Sequence, residues 1–128
     1  MVLADTSVWI DHLRSALSEL RDLLREEKIL IHPFVIGELA CGNLRNRKEL
    51  LALLHALPLV PRVEDDEMLF FIEKHSLAGK GLGLIDLHLL AASRMSNCAL
   101  WTNDGRLKRA AQEMGLDYGR SADVRAGG

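Results

Sequence analysis

Hydrophobic positions along the 128-residue chain alternate between short unbroken runs and longer stretches with helical spacing. Val2-Leu3-Ala4 and Ile29-Leu30-Ile31 read as buried strands, and Ala99-Leu100-Trp101 as a third. Leu59-Val60 with Val63 marks a further strand that Pro58 and Pro61 keep short or at an edge, and residues 116–118 suggest a last one. Between them, Leu17, Leu20 and Leu24, with Leu13 just ahead, recur at helical intervals opposite a charged face and predict a helix over 15–27. Residues 34–44 are apolar on nearly every side, which predicts a buried helix, with Pro33 suited to its first turn. Further helices are expected over 49–57, 64–77, 84–95 and 107–114. Gly79-Lys80-Gly81-Leu82-Gly83 reads as a flexible loop, and 120–128 as a frayed tail.

Strands that alternate with helices imply crossover connections and a parallel sheet, hence an α/β fold. The length suits one domain, here 1–119, whose core needs no disulfide or metal staple. Cys41 and Cys98 have no zinc-ligand spacing and small or apolar neighbours, so both are expected to be buried thiols in a reducing compartment. With an acid at position 5 and no apolar run near 20 residues, neither a secretory leader nor a membrane span is expected; the reading is a cytosolic protein. His12, His32, His55, His75 and His88 show no ligand spacing and read as surface or packed side chains, His88 drawing interest because it shares a helix with Asp86.

Most acids line polar helix faces or, like 64–67, start a helix. Four do not. Asp5 ends the first strand, Asp104 follows the Ala99–Trp101 strand, and Asp86 opens an otherwise apolar helix. Glu38 stands mid-helix with Phe34, Val35, Cys41 and Gly42 at helical distance, a face that is expected to be buried and costly for an unpaired carboxylate. Each of the other three has a plain alternative: a helix cap for Asp104, a first-turn acid for Asp86, a local turn for Asp5. Yet sites in open α/β sheets form beyond the carboxyl ends of the strands, where all four can converge. Two carboxylates ~4 Å apart repel by about 4 kcal/mol at an effective dielectric near 20, so four demand a cation or raised pKa values. An all-oxygen set selects a hard ion such as Mg²⁺ or Mn²⁺. Thr6, Ser7, Thr102 and Asn103 adjoin the acids and are placed to orient them.

The runs Leu3-Ala4-Asp5-Thr6-Ser7-Val8-Trp9-Ile10-Asp11, Ile36-Gly37-Glu38-Leu39, Gly83-Leu84-Ile85-Asp86 and Leu100-Trp101-Thr102-Asn103-Asp104, in this order and spacing, resemble the PIN-domain ribonucleases, and most of all the VapC toxins of bacterial toxin–antitoxin pairs. The resemblance implies a three-layer α/β/α sandwich on a central parallel sheet, with Mg²⁺ or Mn²⁺ held by Asp5, Glu38, Asp86 and Asp104. It implies hydrolysis of RNA, a homodimer, and a small cognate antitoxin that occludes the site. Leu107 stands where many relatives carry an aromatic residue, a departure that bears on packing. No Ser or His nucleophile is required, and the chemistry by itself admits DNA as well as RNA.

Substrate contacts are expected from Lys80 and Arg14, with Arg45, Arg47, Lys48 and Arg94 as further candidates. Trp9 and Trp101 are expected in the core. Two other classes are open: a PIN-like domain that processes RNA without toxicity or only binds it, and a phosphoacceptor domain. The second lacks its adjacent acid pair after the first strand and its lysine after a late strand. The net charge of −2 taken alone opposes a nucleic-acid partner, but without the four acids the bases are in slight excess.

Overall fold

The computed structural model describes residues 1–119. Three short strands, β1 (Val2–Ala4), β2 (Ile29–Leu30) and β3 (Ala99–Trp101), form a parallel sheet in the order β2-β1-β3. Leu3 sits opposite Leu30 on one side and Leu100 on the other. The two further strands expected from sequence shrink to single bridges, Leu59 beside Ile31 and Asp117 beside Leu100, both parallel. Proline explains the first: Pro58 and Pro61 bracket Leu59, and neither can donate to a ladder.

Among the described residues seven helices pack around the sheet: α1 (Thr6–Arg14), α2 (Ser18–Arg25), α3 (Pro33–Ala40), α4 (Arg47–Ala56), α5 (Asp65–Lys74), α6 (Leu84–Ser96) and α7 (Gly105–Glu113). Right-handed crossovers sort them into layers. The chain steps one way through β1, β2 and the Leu59 bridge, putting α1 to α4 on one face; it returns to β3 and on to Asp117, putting α5 to α7 on the other. Packing of α1 on α3, α3 on α4 and α5 on α6 agrees with this arrangement. The result is an α/β/α sandwich whose core includes Leu3, Trp9, Leu20, Ile31, Leu54, Leu90, Leu100 and Leu107, each at most 1% exposed.

The helix expected over 15–27 is the shorter α2, and it is preceded by a helix the sequence pattern did not announce, α1. Asp5 accepts a hydrogen bond from the Val8 amide and so starts α1 immediately after β1. The β-branched Thr6, Val8 and Ile10 conceal that start in the sequence, because they are weak helix formers. Extended backbone at Ser15 ends α1, and the Leu17 amide turns back to donate to His12 Nδ1 (3.0 Å). Of the leucine stripe, only Leu20 is fully buried, while Leu13 is exposed. Cys98 is buried as expected, but Cys41 is exposed, because α3 ends at Ala40 and leaves Cys41 and Gly42 at the surface. Trp9 lies in the core and Trp101 is half-buried. Residues 120–128, read as a frayed tail, lie outside the described residues.

Candidate active site

The strand order reverses direction at β1, so the crevice beyond the carboxyl ends of β1 and β3 is where an open α/β sheet builds a site. Asp5 and Asp104 emerge there, and the Asp5 amide donates to the Trp101 carbonyl (3.0 Å), which joins the two strand ends. Asp5 is buried. Its Oδ1 accepts from Ser7 Oγ (2.6 Å) and from the Val8 amide (3.1 Å), and its Oδ2 accepts from Thr102 Oγ1. Burial drives its pKa up, against the pull of those hydroxyls on the charged form.

The hydroxyls serve both strand ends. Thr102 Oγ1 donates to Asp5 and accepts from the Asp104 amide (3.0 Å), while Ser7 Oγ accepts from the Asn103 amide (3.0 Å). Asn103 Nδ2 donates to Asp11 Oδ2 (2.6 Å), a link between α1 and the loop after β3 that sequence reading did not anticipate. Thr6 Oγ1 donates to Glu38 Oε1 (2.6 Å) and ties α1 to α3. All four polar neighbours expected to orient acids are thus in this network, Asn103 through Ser7 and Asp11.

Glu38 corrects the expectation of a buried carboxylate. It is exposed, on the side of α3 that also carries exposed Gly37, Cys41 and Gly42, and it borders a groove of about 380 Å³ with Leu39, Arg14, Ile10, Leu13 and Leu50. The apolar residues around it turn toward the core instead, where Val35, Ile36 and Leu39 are buried. Asp86 and Asp104 fill their plain helix roles as well. Asp86 Oδ2 accepts from the Gly83 amide (3.1 Å), and Asp104 Oδ1 caps α7 by accepting from the Arg106 and Leu107 amides (3.0 and 3.1 Å). Each of these two keeps its other oxygen for further partners.

The other three carboxylates act on Asp86. The Asp86 pKa is raised first by burial, then by the charges of Asp104, Asp5 and Glu38, with the Gly83 amide opposing. No lysine or arginine among the described residues forms an ion pair with any of the four. Nor does any group of three His, Cys, Asp or Glu side chains among the described residues close tightly enough to chelate an ion by itself. The donor set is all oxygen, which suits a hard ion such as Mg²⁺ that takes one or two protein carboxylates directly and reaches others through water.

The expected substrate cations divide. Arg14 and Arg45 line the groove beside Glu38. Lys80 is engaged elsewhere: its ammonium pairs with Glu113 (3.2 Å), so the glycine-rich loop is strapped to α7. Arg47 donates to the carbonyls of Gly42 and Ala40 (3.2 and 2.6 Å), closing the end of α3. Arg94 lies beside Phe70 and Met95, on the layer formed by α5 and α6. His32 and His88, read as packed histidines, are indeed buried.

A model of the PIN domain family matches residues 2–113, all three strands and all four acids included. Ribonuclease VapC32 of Mycobacterium tuberculosis, from strains CDC 1551 / Oshkosh and ATCC 25618 / H37Rv alike, is 44% identical over 117 residues, which cover 91% of this chain and 94% of that one. In three dimensions the crystal structure of PAE2754 from Pyrobaculum aerophilum aligns with a TM-score of 0.60 at 17% identity, over 85% of this chain and 83% of that chain, and so speaks to the fold. The family match over most of the chain and the kinship in sequence agree, and the chain belongs to the PIN-domain family, among its VapC-type ribonucleases.

Proposed function

We propose that the protein is the toxin of a type II toxin–antitoxin pair, a ribonuclease that hydrolyses RNA phosphodiester bonds with Mg²⁺ or Mn²⁺ at Asp5, Glu38, Asp86 and Asp104. The observation that carries this reading is a set of acids without a basic partner among the described residues: three carboxylates raise the pKa of a fourth, and no described lysine or arginine is ion-paired with them. Such a group is stabilised by a divalent cation. When bound, that ion supplies positive charge to the phosphate oxygens and acidifies the attacking water.

The chain's own residues supply placement. Asp5 is fixed by Thr102, Ser7 and the Val8 amide, so it enters the reaction with its carboxylate already oriented. Glu38 is held from one side only, by Thr6, and can adjust to what it binds. Asp86, whose pKa is raised by burial and by the charges of its acidic neighbours, is held in its charged form by a neighbouring cation.

The antitoxin is assigned to the groove between α1, α3 and α4, where apolar Ile10, Leu13, Leu39 and Leu50 adjoin Glu38. A segment seated there covers the acids from the side on which Glu38 is open. The homodimer is assigned to the layer of α5 and α6, where Leu69, Phe70 and Met95 are 63%, 68% and 54% exposed. Helix α5 begins with Asp65, Asp66 and Glu67 and ends with Lys74, so antiparallel packing on a second copy matches acid to base at both ends.

The test is cleavage of RNA by purified protein with Mg²⁺, Mn²⁺ or EDTA. Cleavage is expected only with metal and is expected to vanish in Asp5→Ala and Asp86→Ala. Cleavage that persists in both variants overturns the assignment of the acids. Growth on expression without antitoxin tests the toxin role separately: arrest is expected, and normal growth overturns it.

A further inference from the structure

We propose that Arg106 binds a phosphate of the RNA next to the bond being cut, and that Gly81 provides its seat. This rests on the ribonuclease reading above and adds a substrate-gripping residue to it. Sequence reading passed over Arg106 because it stands one residue beyond the Asp104-Gly105 turn, among the ordinary charges of an amphipathic helix. Its surroundings in the fold are not ordinary. The guanidinium lies on the backbone of Gly81, where an added Cβ would stand 2.8 Å from Nη1, 3.1 Å from Cδ and 3.2 Å from Cζ. Gly81 also has φ of +75°, in the left-handed region, so the loop has two reasons to lack a side chain there. The Lys80–Glu113 pair holds the same loop to the far end of α7, so seat and guanidinium stay together.

The position matters because of what lies on either side. Two residues before Arg106, Asp104 caps α7, and its carboxylate is bonded to the Arg106 amide rather than to the guanidinium. Two residues after Gly81, the Gly83 amide holds Asp86. The cation therefore bridges the segments that carry two of the four acids, yet it forms no ion pair with a carboxylate among the described residues. It is exposed. Lys80 and Arg47, the nearest rivals in sequence terms, have spent their charge within the protein. An unpaired, seated guanidinium at the rim of an anionic site suits a ligand that carries its own negative charge, and its planar fork matches a phosphate through two parallel hydrogen bonds.

The experiment is steady-state cleavage of a single-stranded RNA by the full chain in Mn²⁺, over a range of salt. Arg106→Ala is expected to raise KM about ten-fold while kcat stays within two-fold and the Mn²⁺ midpoint is unchanged. The slope of log(kcat/KM) against log salt is expected to become shallower by about 0.7, the loss of one phosphate contact on a single strand. Arg106→Lys is expected to restore the slope but only part of the KM, since a point charge replaces a fork. Gly81→Ala, which dislodges the guanidinium, is expected to raise KM with Arg106 still present. An unchanged KM and salt slope in Arg106→Ala overturns the proposal, as does a fall in kcat with a shifted Mn²⁺ midpoint, which marks a residue that positions the acids. Failure of the unaltered protein to cut RNA in Mn²⁺ is a different result and overturns the ribonuclease reading instead.

Discussion

Replacing Thr102 with valine keeps the shape of a side chain that is 2% exposed and removes only its hydroxyl. That oxygen has two jobs: it donates to Asp5 Oδ2 and accepts from the Asp104 amide. A hydrogen bond to a charged group contributes about 1.5–3 kcal/mol, and stranding a polar partner in a buried place costs about 1–3 kcal/mol. Asp5 keeps Ser7 and the Val8 amide, so part of its loss is cushioned. A net destabilisation of about 3 kcal/mol follows, or roughly 10 °C in Tm for a chain of this size. The assay is urea denaturation in EDTA, with Thr102→Ser as the control that keeps the hydroxyl. Thr6→Val offers the contrast: its hydroxyl bonds exposed Glu38, and the expected loss is about 0.5 kcal/mol. If Thr102→Val costs no more than Thr6→Val, the hydroxyl does not anchor the buried carboxylate and the reasoning fails.

His32 is fully buried, its Nδ1 accepts from the Phe34 amide, its Nε2 has no partner among the described residues, and burial with nearby His88 and Arg62 lowers its pKa to about 4. A lowered folded pKa means that the unfolded chain binds the proton first, so stability is complete above 6.5 and falls as pH drops toward 4, by up to about 3 kcal/mol. His32→Asn keeps a cap acceptor, and its urea stability is expected to fall less between pH 7 and 4.5; parallel curves would refute the assignment. Asp86→Asn removes one charge from a crowded set and is expected to raise metal-free stability by about 1 kcal/mol at pH 7 while abolishing cleavage. A Tm in EDTA no higher than that of the parent protein would contradict the reading that burial and the neighbouring acids disfavour a charged Asp86. Phe70→Glu places a charge on the exposed α5 surface and is expected to yield monomers by light scattering without loss of Tm, whereas an unchanged dimer moves the interface elsewhere.

What the sequence made legible was set by local signals that also have global consequences. An acid at or just beyond the end of an apolar strand is unusual enough to mark Asp5 and Asp104, and the parallel sheet then brings the two strand ends together without further information. Glu38 was marked for a mistaken reason. Apolar neighbours along a helix do not reveal which side meets the core, and α3 turns Glu38 outward beside Gly42 while Val35, Ile36 and Leu39 face inward. The start of α1 was hidden because Asp5 serves two elements, ending β1 and capping the helix, so the β-branched residues that follow extend the appearance of a strand. Cations were the least legible. Lys80 and Arg106 carry the same charge near the same loop, and no local pattern says that Glu113 claims one while Gly81 seats the other. A lysine's partner lies 33 residues away, and the space for an arginine is made by the absence of a side chain on another segment. Asp5 and Asp104 are placed by strand ends, which sequence announces; the bases that meet a substrate are placed by tertiary pairings, which it does not. For a PIN nuclease, the shared chemistry should therefore be easier to read than the choice of RNA, because choice rests on the side chains whose partners are set last.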